Sequence, residues 1–176
     1  MSRRPIQATI RTRGDDGGPD LAAQLREALS SWASGVAVLA ATDGEEAEAI
    51  TVTAFSAVSM DPPLVLVCVG VHSPILPTLL EARRFTVGFL AEDDRRTASY
   101  VAQRLPLDRP LFPEEGDPVM EGALATLVCR LWEDHPGGDH RILVGEVERV
   151  ELGRDAGPLL YYRREYRGFS EKGKRG

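Results

Sequence analysis

Along this chain the apolar positions change their spacing repeatedly, and each change predicts a new element. Leu21, Leu25, Ala28, Leu29 and Trp32 recur at helical spacing. They predict a helix capped by Asp20, with these residues as its apolar face and Gly35 of Ser34-Gly35 suited to its C-cap. Val36 to Ala41 reads as a short apolar strand before the Asp43-Gly44 turn signal. Ile50 to Ser59, rich in threonine, serine and alanine, reads as one strand. Met60-Asp61-Pro62-Pro63 is the turn after it, because proline fixes φ and pushes the preceding residue out of the helical region. Leu64 to Val69 is apolar at every position, which predicts a strand covered on both faces.

Ser73-Pro74 is a helix-start signature, and Ile75, Leu76, Leu79 and Leu80 form the apolar face of the helix that follows. Phe85 to Leu90 is a strand and Asp93 to Arg104 a surface helix. Leu105 to Pro118 holds Pro106, Pro110, Pro113 and Pro118, so it reads as a long irregular loop, a kind that is commonly functional. Ala123 to Trp132 is a strand, His135-Pro136-Gly137-Gly138-Asp139 a tight connection, and Ile142 to Leu152 a long strand. In that last strand the alternation slips at Glu148-Arg149, which predicts a β-bulge. Leu159 to Tyr162 is a final short strand. Most connections are too short for parallel crossovers, so six or seven strands should close into an antiparallel barrel with a few peripheral helices.

Composition narrows the function. Residues 1–19 are polar and glycine-rich and read as a mobile arm, 20–169 as the functional domain, and 170–176 as a basic tail. No apolar run approaches the ~20 residues of a membrane helix, and no apolar segment follows Arg3-Arg4 to make a signal peptide. The expectation is a cytoplasmic protein with no membrane partner. A net charge of -6 argues against nucleic acid as the main partner, because phosphate backbones need a basic face. Cys68 and Cys129 lie in separate apolar runs without a histidine cluster, which predicts buried thiols and no metal site.

The segment Ala49-Ile50-Thr51-Val52-Thr53-Ala54-Phe55-Ser56-Ala57-Val58-Ser59-Met60-Asp61-Pro62-Pro63, continuing through Leu64 to Val69, resembles the signature of the flavin reductase-like family. Three further motifs occur in the family's order. They are Trp32-Ala33-Ser34-Gly35-Val36-Ala37-Val38, then Gly138-Asp139-His140 with Leu143, Gly145, Glu146 and Val147, then Pro158-Leu159-Leu160-Tyr161-Tyr162 with Tyr166. The chain departs from the pattern at Gly88, where many members carry asparagine. It departs again at Asp108-Arg109-Pro110-Leu111-Phe112, where an uninterrupted Asp-Arg-Phe or Asp-Lys-Phe is common.

The resemblance implies a mainly β fold, the antiparallel split β-barrel that binds FMN. It implies an NAD(P)H:flavin oxidoreductase that passes hydride from NADH or NADPH to FMN or FAD and supplies a separate flavin-dependent monooxygenase. It also implies a homodimer with flavin near the interface, for which either row of the apolar strand, Val65, Val67 and Val69 or Leu64, Leu66 and Cys68, is the candidate surface. Thr51, Thr53, Ser56 and Ser59, with the backbone of Ala54 and Phe55, would serve the flavin ring and ribityl chain. Ser73, with His72 beside it, would meet phosphate at a helix N-terminus. His140 would sit where nicotinamide docks. Tyr161, Tyr162 and Tyr166 with Arg163, Arg164 and Arg167 would cover the nucleotide. Read as residues alone, the same positions also suit a threonine-rich strand, an ordinary helix cap, a loop histidine and a core edge with solvated charges. A flavin-binding module without reductase activity, or a same-fold oxidoreductase with another acceptor, remain the alternatives.

Overall fold

The computed structural model describes residues 20–105 and 110–169. The arm 1–19, the tail 170–176 and Asp108-Arg109 lie outside the described residues. In chain order the elements are α1 (Leu21–Ser30), β1 (Ser34–Gly35), β2 (Ala37–Thr42), β3 (Ala47–Val52), β4 (Phe55–Met60), β5 (Pro63–Gly70) and α2 (Ile75–Ala82). There follow β6 (Arg84–Phe89), α3 (Arg95–Gln103), β7 (Ala125–Gly137), β8 (His140–Leu152), β9 (Leu159–Tyr162) and β10 (Glu165–Gly168). The mainly β, antiparallel expectation holds, with more strands among the described residues than the six or seven expected.

The strand expected over Ile50 to Ser59 is two strands. The seven-stranded sheet has the order β3-β2-β6-β7-β8-β5-β4, so consecutive β3 and β4 form its opposite edges. A flat sheet of this width would hold its edges ~29 Å apart, from a strand spacing of ~4.8 Å. Thr53 and Ala54 alone join Val52 to Phe55, a step of at most ~11 Å. The sheet must therefore curl until its edges meet at this link and diverge beyond it, which is a split barrel. The Cys68 N–H donates to the Ala54 carbonyl at 3.0 Å and ties the link to β5.

Alternation decides what fills the barrel. Leu39, Val52, Val65, Val67, Val69, Phe85, Val87, Cys129, Leu131 and Leu143 point inward and are buried. Ile75, Leu76 and Leu79 of α2 join this core, with Leu80 packed against it. Phe85 fits because Gly145 faces it: a Cβ there would lie 2.4 Å from the ring. Burial pushes the Cys129 thiol up to about 12, so it is an inert core group. β5 is thus not covered equally on both faces. Val65, Val67 and Val69 are buried, whereas Leu64, Leu66 and Cys68 face outward and are half-buried.

The β7–β8 hairpin is longer than expected. The predicted connection His135 to Gly137 continues β7, and Gly137 pairs with His140. Gly138 has φ 76°, the positive value that a type II′ turn requires at its first central residue. The expected bulge is present: Val128 pairs with Arg149 and Cys129 with Val147, leaving Glu148 extra. A second bulge leaves Trp132 extra on β7.

Outside the barrel, Val38 and Leu90 pack with Ala98 and Val101 of α3, Leu111 and Met120 of the long loop, and Leu159. Gly88 lies beneath that loop. A Cβ at this position would meet Met120 Cβ at 3.0 Å, so the Met120 side chain occupies the space a larger residue would need. Asp117 pins the loop through ion pairs to Arg84 and Arg149, and Thr86 donates to the Pro118 carbonyl at 2.7 Å.

Two helix expectations need correction. Asp20 caps α1 by accepting from the Ala22 N–H, but the C-cap is Ser31, and Gly35 belongs to β1. No residue of α1 is buried. Leu21, Leu25 and Leu29 are each more than half exposed, because the helix packs against no broad surface among the described residues.

The hydrogen bond from Arg84 holds the Asp117 carboxyl below the ordinary carboxylate range. A carboxyl depressed in the fold adds stability above its unfolded value of about 4, and that stability is lost as pH falls through its folded value. Asp117→Asn should therefore lower stability by about 1 kcal/mol at pH 7. Urea titrations at neutral and strongly acid pH should show the gap to the parent chain closing in acid.

Candidate functional site

Four of the predicted residues converge at the link that closes the barrel. Thr53, Ala54, Phe55 and Ser56 line a cavity of about 610 Å³ with Leu66 and Cys68 of β5, Tyr161 of β9, and Arg26, Leu29, Ser30, Trp32, Ser34 and Arg164. A second cavity, of about 440 Å³, adjoins it and shares Trp32, Ser34, Thr53 and Phe55. Thr53 and Ala54 belong to neither β3 nor β4, so a planar ligand can approach backbone and small side chains here. The lining is mostly apolar with a few polar groups, and the volume is that of a small-molecule site.

Charge separates this site from a larger hollow. A cavity of about 850 Å³ lies under the long loop, and its charged walls are Glu115, Asp117, Glu121 and Glu151 against Arg149. That surface repels a phosphorylated ligand. The charged residues lining the cavity at Thr53–Ser56 are Arg26 and Arg164, both cations.

The outward face of β5 continues from this cavity to the candidate histidine. Leu66, Cys68 and Gly70 share one face by alternation, and Gly70 pairs with His140. The His140 ring leans over Gly70: a Cβ there would lie 4.0 Å from Nε2. The Val71 N–H donates to the Asp139 carbonyl at 3.0 Å, which brings the exposed His72 and half-buried Ser73 to the same end. His140 Nδ1 lies 2.7 Å from an Asp139 carboxylate oxygen. A carboxylate only accepts, so Nδ1 carries the proton. Nε2 is left as an acceptor when the ring is neutral and a donor when it is charged. The same contact holds the Asp139 carboxyl below its ordinary value.

Other predicted residues lie elsewhere or are engaged differently. The Thr51 hydroxyl donates to the Ala98 carbonyl at 2.9 Å, on the α3 side. The Ser59 hydroxyl accepts from the Asp61 N–H and serves the turn after β4. Ser73 does not cap α2 through its side chain; the cap position is Pro74, and it makes no side-chain cap bond. Tyr166 stands behind Tyr161, ring centroids 5.4 Å apart, in the second core, where burial raises its hydroxyl pKa. Tyr161 lines the cavity and Tyr166 supports it. Leu66, Cys68, Arg26 and Trp32 were not singled out as site residues. Their signal was the alternation of β5 and the apolar face of α1, which specifies a site only once the inward set is known. Among the described residues no group of three or more histidine, cysteine or carboxylate side chains is arranged to hold a metal ion.

Comparison with known proteins gives this surface a context. The reductase component of 4-hydroxyphenylacetate 3-monooxygenase from Thermus thermophilus is 46% identical, over 81% of this chain and 93% of that protein. An NADH-dependent flavin reductase from Rhodococcus is 34% identical, over 85% of this chain and 88% of that one. The Streptomyces globisporus NADH:FAD oxidoreductase, solved in complex with NAD and FAD fragments, superposes with a TM-score of 0.80 at 29% identity. That superposition covers 92% of this chain and 100% of the other. Residues 29–170 match the model of the flavin reductase like domain, and this chain belongs to that family.

Proposed function

We propose that this protein is an NADH:flavin oxidoreductase that reduces FMN or FAD for a separate flavin-dependent monooxygenase. One observation carries the reading. The small-residue link, the cationic cavity and His140 lie in sequence along a single outward face of the barrel. The site fits a flavin: an apolar slot for a tricyclic ring, backbone and hydroxyl groups at Thr53 to Ser56, and arginines suited to an anionic tail. Bound there, flavin would supply the acceptor for the hydride carried by NADH.

The chain's own contribution is placement and exclusion of water, since hydride transfer needs stacking more than a general base. Thr53, Ala54, Phe55 and Ser56 seat the ring against the barrel wall. His140, oriented by Asp139, presents Nε2 to the nicotinamide carboxamide. His72 and Ser73 flank that end and are suited to phosphate. NADH is the natural donor by analogy with the relatives' names, and its supply makes the cytoplasm the working compartment. No helix among the described residues is long and apolar enough to cross a membrane.

The active unit in this reading is a homodimer that covers the outward row of β5. A two-fold contact would bring the same strand together from both copies. The sequence left two rows of β5 open as that surface; Val67 faces the barrel interior, so the row to test is the one containing Leu64.

Three results test these assignments. Purified protein should oxidise NADH only when flavin is added; tight flavin binding without NADH oxidation would leave a binding module instead. His140→Ala should raise the KM for NADH about ten-fold while flavin Kd stays nearly constant, the pattern of a lost ground-state contact. Leu64→Glu should shift the mass measured by light scattering from twice the 19.2 kDa chain to one. An unchanged mass would place the interface on another surface.

A further inference from the structure

Trp32 follows α1 by two residues and lines both adjoining cavities. Its side chain is 75% exposed, a poor environment for an indole. The indole N–H has no hydrogen-bond partner among the described residues. Both cavities share Thr53 and Phe55 as their other wall at this point. A planar ring seated against that wall would have Trp32 and Leu29 on its open side.

The position of α1 depends on polar tethers. The Arg163 N–H donates to the Ser30 carbonyl at 2.8 Å, and the Arg164 guanidinium pairs with Glu27 at 2.9 Å. Both arginines form the two-residue turn between Tyr162 and Glu165, with φ of 50° and 64°. That is a type I′ turn, which asparagine and glycine suit and arginine does not. A strained turn persists where its surroundings require it, and such strain clusters at ligand clamps. Here the strained pair faces α1 and the cavity.

We propose that Trp32 covers the isoalloxazine ring of bound flavin at the end remote from His140, and that the Arg163-Arg164 turn is a positioning device that holds α1 over the ring. The proposal rests on the flavin reading above. Leu66, beside the Trp32 end, and Gly70, beneath His140, are four strand residues apart, or ~13 Å. A tricyclic ring along this face spans most of that distance. Trp32 can cover one end and leave the other open for nicotinamide.

The test uses the full chain, titrated with FMN and with riboflavin. Riboflavin lacks the phosphate and so isolates the ring contact. Trp32→Leu should weaken both ligands about ten-fold, as loss of one aromatic stacking partner does. Trp32→Phe should retain most of the affinity. Flavin emission, quenched when an indole stacks on the ring, should be quenched in the parent complex and restored in both variants. The KM for NADH at saturating flavin should stay unchanged. Arg164→Gly should weaken both ligands without lowering Tm, because glycine suits the turn. A residue that only stabilised the fold would lower Tm when replaced.

Unchanged flavin affinity and emission in Trp32→Leu overturn the assignment of Trp32. So does a loss of dimer mass with affinity intact, which would make Trp32 an interface residue. Unchanged flavin affinity in Arg164→Gly overturns the role of the turn. If the parent chain binds neither FMN nor FAD, the flavin reading itself fails. A parent that binds while its variants bind equally well leaves that reading standing and removes only this one.

Discussion

The two-residue link between β3 and β4 is the constraint on which the rest of the molecule depends. It joins the two edges of a seven-stranded sheet, so the sheet has to roll. Rolling sorts the alternating positions of β5 into an inner row that fills the barrel and an outer row that does not. It also leaves Thr53 and Ala54 outside the ladder at the place where the barrel splits. A ring-sized slot beside exposed backbone follows from that closure. Alternation then carries the outer face from the slot to Gly70 and the histidine above it.

Charge is distributed around this frame with two different results. On the outer face of β6 to β8, arginines 84, 130 and 149 alternate with Glu146, Glu148 and Asp117, and the network fastens the long loop. Most of these groups are partly exposed, so each pair is worth little alone, and the value lies in anchoring Asp117. At the ring slot the charged lining residues are two arginines, Arg26 and Arg164. A protein of net charge -6 can therefore take a phosphorylated ligand, because the local lining of the slot is opposite in sign to the whole.

Much of the fold was legible in the spacing of apolar residues. The bulge at Glu148 showed itself as a slip in alternation, and the α2 core residues showed themselves by helical period. The break at Thr53-Ala54 did not, because neither residue is a turn former and the apolar pattern runs through it. Candidate site residues divided in the same manner. Ser56 and His140 lie on the outward face of the barrel, whereas Phe55, opposite Val67, packs against the core at the edge of the slot. Thr51 is two residues from Thr53, yet its hydroxyl is bound to Ala98 on the other side.

By itself, the sequence determined most of the element types, the bulge at Glu148, the apolar face of α2 and the family to which the chain belongs. These are local properties: backbone preference, periodicity and motif act over a few residues. Which face of β5 lies inside, which hydroxyls are already bound, and that Leu29 and Trp32 line a cavity instead of a core were decided by tertiary structure alone. The physical reason is that each depends on where a distant strand or helix comes to rest. The register that brings Cys68 to Ala54 and Gly70 to His140 exists only after the sheet has closed.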